Sequence, residues 1–330
     1  MNRISKYQEG ILKFLKTKSF INDTTEKTKT ILYDLLNMSD HVPAILCLTI
    51  LNNQCKKYDI KIHGYYIASG IDVMMLMAKV CSNRDHFDNK YGINVIDNMI
   101  MEVINSFYKC ITQNIDTLRL SKNGNVSAKL SHLCIEYAAK YIPLITQKGA
   151  YASDVKMKKT DLFCLDIANK DYISYKKKNM LNKDTLTEDM INRCGSVCRL
   201  AMTLGWVLGQ GDDEFFNRIR DLSEDKTIAK LEKLGDFMGK FLKLHDDFKY
   251  IERDIRVGKF SLNYVLNYGI KEAYIELVEA KANFIEGSIS LGVESKTSKE
   301  IIDMIVRSID EIVKDASVDM DTQYDDVSTV

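Results

Sequence analysis

Apolar residues recur at intervals of three and four along almost the whole chain, and few stretches alternate in the two-residue rhythm of a half-buried strand. The spacing predicts helices over residues 5–17, 24–37, 43–57, 65–82, 94–119, 126–148, 158–170, 187–209, 226–254, 260–288 and 297–314. The fold class is therefore all-α. GIDVMMLMAKV (70–80) is apolar on more than one face and reads as a central helix wrapped by others, since a surface helix keeps a polar side. Clusters of Asn, Asp, Gly, Lys and Ser mark loops at 82–92, 120–125, 175–185 and 210–215, and none has the character of an interdomain linker. A single domain over 1–314 follows, with the helices of residues 1–57 at its periphery. From Asp315 onward five aspartates and no helical period predict a disordered acidic tail over 315–330.

Composition narrows the class. The 330 residues are 45% apolar and 28% charged, enough for a large core and too apolar for a disordered chain. Only Pro43 and Pro143 occur where average usage would give roughly sixteen prolines, so helices can run long. The 46 basic and 46 acidic side chains cancel, which removes any global field drawing the chain onto nucleic acid or anionic lipid. Eight cysteines without a CxxC pair, and a start lacking an uninterrupted apolar run, predict a reduced cytoplasmic protein. No window approaches the length of a membrane span, the best candidate carrying Arg199 and three glycines.

Chemistry concentrates in LGDFMGKFLKLHDDFKYIERDIRVGK (234–259). It begins as an amphipathic helix with Leu234, Phe237, Met238, Phe241, Leu244, Phe248 and Ile251 at threes and fours, and Asp246, Asp247 and Asp254 close it. Carboxylates so gathered suit a hard divalent ion such as Mg²⁺, which takes oxygen ligands, and Lys259 after Gly258 adds a cation beside them. A solvated helix face carrying an ordinary Lys243–Asp247 pair is the competing reading. Gly235 and Gly239, spaced for close helix approach, favour the functional one.

Over Gly239–Lys259 the chain resembles the trans-polyprenyl diphosphate synthase family, which includes farnesyl and geranylgeranyl diphosphate synthases. The family's second aspartate-rich region reads G-x-x-F-Q-x-x-D-D-x-x-D-x-x-x-D followed by G-K. Gly239, Leu242, Lys243, Asp246, Asp247, Tyr250, Asp254, Gly258 and Lys259 fall on it, with Lys243 at the glutamine and Tyr250 at the third aspartate. INRCGSVCRLAMTLGWVLG (191–209) looks like the family's K-T-G-A-L-F helix, with Arg193 and Cys194 for the Lys-Thr pair. LFCLDI (162–167) looks like its G-Q-x-x-D-L segment, keeping Asp166 and putting Phe163 at the glutamine. The resemblance implies an isoprenoid-synthase-like bundle around a central cavity, bordered by the helices ending near 119 and 254. It also implies two facing carboxylate clusters that hold Mg²⁺ against an allylic diphosphate, because ionising the C–O bond needs positive charge on the leaving group.

The first cluster is degraded. In NIDTLRLSKNG (114–124), Ile115, Asp116 and Arg119 occupy the three aspartate positions and Lys122 lies near the basic one. A Mg²⁺ and a guanidinium about 6 Å apart repel by of order 5 kcal/mol at an effective dielectric of about 20. Either Arg119 holds a diphosphate in place of a metal, or the site is dead, and a plain Asp116–Arg119 surface pair is the third reading. By the resemblance, Asp246, Asp247, Asp254, Asp116 and Asp166 are the metal ligands, and Arg193, Lys259, Lys61, Arg119 and Lys122 the diphosphate cations. Asp246, Asp247 and Lys259 would be catalytic.

Other residues read as structural: His63 as a partly buried histidine, Cys194 and Cys198 as core thiols, His245 as packing, and Lys176, Lys177 and Lys178 as a solvated loop. Three functions remain. One is Mg²⁺-dependent condensation of an allylic diphosphate with isopentenyl diphosphate. The second is a catalytically silent relative serving as a structural or partner subunit, and the third a terpene synthase, whose metal helix Tyr250 does not fit. Resemblance adds a homo-oligomer, or a hetero-oligomer with an active synthase.

Overall fold

In the computed structural model the described residues are 3–18, 20–37, 39–57, 63–121, 128–146, 183–210, 219–251, 253–254 and 263–325. Among them every regular element is helical: α1 (Arg3–Lys18), α2 (Glu26–Leu36), α3 (Val42–Lys57), α4 (Tyr65–Ser82), α5 (Arg84–Tyr91), α6 (Ile93–Ser121) and α7 (Ala128–Thr146) come first. Then follow α8 (Lys183–Met190), a π turn (Ile191–Gly195), α9 (Ser196–Gln210), α10 (Lys226–Lys249), α11 (Tyr264–Tyr268), α12 (Ile270–Ser290) and α13 (Lys296–Asp325). No described helix is long and apolar enough to cross a membrane.

The bundle is organised around α9, buried at every position except Arg199. A helix apolar all round needs neighbours on all sides, and α3, α10, α7 and α4 supply them. Contact is close because glycines stand at the crossings. Gly205 lies against the backbone of Cys47, and Gly209 against Leu51 and Gln54, where α3 crosses α9. Gly235 meets the backbone of Arg199, and Gly239 lies directly on Gly195 of the π turn, bringing α10 against the segment that leads into α9. α4 is buried through Ala78 and again at Val80, as the sequence predicts for a central helix.

Five features depart from the sequence reading. α3, assigned to a peripheral layer, lies in the centre, because VPAILCLTIL has no polar side to present to water. Residues 84–91, read as loop, form α5. It has no buried face, and Arg84 holds it by pairing with Asp88 at 2.6 Å and with Asp97 on α6. The single helix expected over 260–288 breaks at Gly269, whose φ of 89° lies in the left-handed region. The helix expected over 187–209 contains the π turn. α13 runs on to Asp325 rather than giving way to a structureless tail at Asp315, since propagating a helix costs far less than starting one. The helix predicted over 158–170 lies outside the described residues.

A Cβ at position 239 would fall on backbone atoms of Gly195 and Cys194, which have no rotamer through which to yield. Gly239→Ala is expected to lower unfolding free energy in urea by about 1–3 kcal/mol. Gly287→Ala would meet only the flexible Leu234 side chain, and a helix-propensity gain of about 1 kcal/mol offsets its cost. Equal losses in the two variants would contradict this account of the crossing.

Candidate functional site

α10 is fixed at its start by Asp225, whose carboxylate accepts the amides of Thr227 (2.7 Å) and Ile228 (3.2 Å). It ends at Tyr250, where φ leaves the helical range. Its last two turns deliver Asp246 and Asp247 to one end of the bundle, and Asp254 follows on the next turn. Asp247 is almost wholly enclosed, at 2% exposure. Its carboxylate takes a proton donor from Lys243 one turn back and from the Tyr264 amide at 3.0 Å. Asn263 ties the cluster together: its side-chain amide donates to the Asp247 carbonyl and to Asp254 Oδ2, both at 3.0 Å, while its Oδ1 caps α11 by accepting from Leu266. Arg253 donates to Asp254 at 2.9 Å and lays its guanidinium 4.0 Å from the centre of the Tyr250 ring.

Across the cleft stands α4. Lys79 Nζ lies 3.4 Å from Asp246 Oδ2. Arg193, turned inward by the π turn, pairs with Asp189 at 2.8 Å. These groups line a cavity of about 220 Å³ with Leu35, Leu76, Ala78, Phe87 and Met190 as its apolar wall. Among the described residues of the lining, four cations (Lys79, Arg193, Lys243, Arg253) face four carboxylates (Asp189, Asp246, Asp247, Asp254), so their charges balance. A second cavity of about 160 Å³ adjoins it, sharing Lys79, Cys194 and Asp246, with Ser39, His41, His245 and Lys249 on its walls. There His41, with a left-handed φ of 56°, sets Nδ1 2.7 Å from the fully buried Asp72.

The first cluster lies elsewhere. Asn114 near the end of α6 accepts from the Ile67 amide at 2.6 Å and donates to the His63 carbonyl at 2.7 Å, which fastens that end of α6 to the start of α4. Lys79 is twelve residues along α4, roughly 18 Å away at 1.5 Å per residue. Asp116 is exposed at that remote end and lines neither cavity, so it does not face Asp247. Arg119 shares its helix end by backbone position. The cleft is bordered by the end of α4, not by the helix ending near 119. His63 is exposed beside Phe14 and Tyr65. Lys61, Lys122, Asp166, Phe163, Lys176, Lys177, Lys178 and Lys259 lie outside the described residues. Of the predicted residues the structure brings together Asp246, Asp247, Asp254 and Arg193, and it adds Lys79, Asp189, Arg253, His41 and Asp72, which the sequence reading did not single out. Asp72 and Lys79 are nonetheless the two charges inside the apolar run of α4.

Among the described residues the donor set does not suit Mg²⁺. Asp246, Asp247 and Asp254 are each already engaged by a cation of the chain, and Asp247 by a backbone amide as well. Among the described residues no group of three or more His, Cys, Asp or Glu side chains is arranged to hold a metal. Burial pushes the Asp247 carboxyl up to about 6, against the pull of Lys243 and the Tyr264 amide. Burial works most strongly against the charge on Lys79, but Asp246, Cys194, Asp40 and Tyr250 together outweigh it and the ammonium is held above its usual range. Cys194 and Cys198 are pushed up by burial and are not thiolates at neutral pH.

No family model matches the chain, and no curated protein matches it in sequence. Its fold does match solved structures. One is a geranyltransferase from Legionella pneumophila, similar to this chain with a TM-score of 0.53 at 11% identity, over 93% of this chain and 96% of that one. The architecture is the all-α isoprenoid synthase fold.

Two measurements test the electrostatics. Lys243→Met strands the enclosed Asp247 and is expected to cost about 3–5 kcal/mol of stability. Lys79→Met breaks a partly exposed pair and should cost under about 1 kcal/mol. Comparable losses would sink the distinction. Because the Asp247 carboxyl is raised in the fold, its contribution to stability is fully present below the unfolded value near 4 and is lost as pH rises through about 6. A carboxyl ¹³C resonance titrating about there, absent from Asp247→Asn, is the expected signature; titration of Asp247 near 4 would refute it.

Proposed function

We propose that the chain is a catalytically silent relative of the trans-polyprenyl diphosphate synthases, keeping their scaffold as a structural or partner subunit. The observation that carries this reading is Lys79. Condensation of an allylic diphosphate with isopentenyl diphosphate needs metal ions between facing carboxylates, to place positive charge on the departing diphosphate. In this cleft the group opposite Asp246 is an ammonium at 3.4 Å. A Mg²⁺ on Asp246 would lie about 5 Å from it, and the repulsion at an effective dielectric of about 20 is of order 6 kcal/mol. That exceeds four decades in affinity.

Diphosphate without metal fares little better, since among the described residues the four cations of the cavity are balanced by four carboxylates. A bound diphosphate would have to take Lys79 or Arg193 from its present partner and leave a carboxylate uncompensated. The likeness in fold supports descent from a prenyl-transferring scaffold, and the neutralised cleft supports loss of the reaction.

The test is incubation with isopentenyl diphosphate and each allylic diphosphate, with and without Mg²⁺. No lengthened diphosphate is expected, and Mg²⁺ should leave the melting temperature of the native chain unchanged. Lys79→Asp should create Mg²⁺-dependent stabilisation, an upward shift of about 1–2 °C at a tenfold excess over the dissociation constant. Mg²⁺-dependent chain elongation by the native protein would overturn the proposal, and cyclic hydrocarbon products would point to terpene synthesis.

A further inference from the structure

Asp72, midway along α4, is fully buried, and among the described residues no lysine or arginine stands beside it. Its carboxylate accepts from Ser39 Oγ at 3.2 Å and from His41 Nδ1 at 2.7 Å, while the Ser39 hydroxyl oxygen accepts the His41 amide at 3.1 Å. An ionised carboxylate only accepts, so the ring proton sits on Nδ1. A neutral imidazole that donates through Nδ1 keeps its lone pair on Nε2. Nε2 has no partner among the described residues, and His41, itself buried, lines the second cavity. Its left-handed backbone is uncommon for a residue with a side chain, and the bonds from Ser39 and Asp72 hold it there.

We infer that the second cavity binds a small neutral alcohol, its hydroxyl donating to His41 Nε2 and its hydrocarbon body lying against Val42, Met75, Leu242 and Ile305. Charge argues against an anion there. Among the described residues of the lining, Lys79 and Lys249 are matched by Asp40 and Asp246, and burial holds the His245 ring below its usual range. Size sets the body of the ligand: the cavity measures about 160 Å³, and an apolar cavity of about 150 Å³ takes benzene, so a ring of roughly six carbons fits. A ketone or hydrocarbon of the same size would leave Nε2 enclosed and facing no donor, and a site built to bond a hydroxyl rejects the analogue that lacks one. The cavity shares Lys79 and Asp246 with the cleft, but the inference rests on His41 and Asp72, which the proposed function does not use. The two therefore stand or fall separately.

The test uses the full chain with ring-¹⁵N histidine, and cyclohexanol, cyclohexanone and inorganic phosphate as probes, their binding read by saturation transfer from the protein. The His41 resonances, identified by their absence from His41→Asn, should show Nδ1 protonated and Nε2 bare, and Nε2 should move on addition of cyclohexanol. A dissociation constant of about a millimolar is expected, with cyclohexanone about tenfold weaker and phosphate not bound. Asparagine tolerates the left-handed backbone and offers Asp72 an amide donor, but it has nothing in the place of Nε2. His41→Asn should keep the native circular dichroism and lose the preference for the alcohol. In Asp72→Asn, Ser39 still donates to the side-chain oxygen, so the amide donates to Nδ1 and the ring proton moves to Nε2. The preference should vanish there too. Absence of cyclohexanol binding, a protonated Nε2 in the native chain, phosphate bound in place of the alcohol, or a His41→Asn variant that keeps the tenfold preference overturns the site. An Asp72→Asn variant that keeps it overturns the tautomer on which the site depends.

Discussion

A carboxylate sunk into an apolar bundle is tolerated only where its charge is met on the spot, and Asp247 sets that condition for this fold. Lys243 one turn earlier, the Tyr264 amide and the Asn263 side chain together enclose the end of α10. Each of those contacts has a structural counterpart. Asn263 also caps α11, and α11 leads through Gly269 into α12. The direction in which the chain leaves its charged cluster is therefore set by the bonds that neutralise the cluster. The same constraint explains why Arg253 and Lys79 appear where they do. An isolated Asp254 or Asp246 at the rim of so enclosed a group would add repulsion to an already raised carboxyl.

How this departs from a working metal centre is a matter of counting charges in a small volume. Metal-dependent ionisation requires an excess of negative oxygen donors, which the ions themselves then reverse. Here, among the described residues, cations of the chain stand beside the carboxylates of the cleft and balance them one for one. On the proposed function, the fold keeps the helices that frame a reaction while its electrostatics are closed off from within.

Much of the architecture was legible in the sequence because the helices are long and strongly patterned. α4 begins and ends at the predicted residues, and α3, α6 and α7 differ by a residue or two. α5 was illegible because ion pairs rather than an apolar stripe hold it, and hydrophobic period carries no trace of such helices. Asp246, Asp247 and Asp254 could be found because local spacing gathers them at and just beyond the end of α10, and Arg193 through the resemblance of its helix to the family's. The partner across the cleft could not, since the match to the family's first aspartate motif leads to Asp116, whereas proximity in space selects Lys79. What distinguished Lys79 and Asp72 was their company: charges set in a run of methionines and aliphatics must answer to something on a neighbouring helix.

The wide turn at Ile191–Gly195 has a further consequence. One extra residue is accommodated there without breaking the rod formed by α8 and α9, so the halves run on one axis but are rotated out of phase. Arg193 can look into the cleft while Gly195, two positions on, supports the crossing of α10. In a regular helix those two orientations would be locked to each other. The insertion uncouples them, and the polar rim and the apolar core of this bundle can drift in sequence independently.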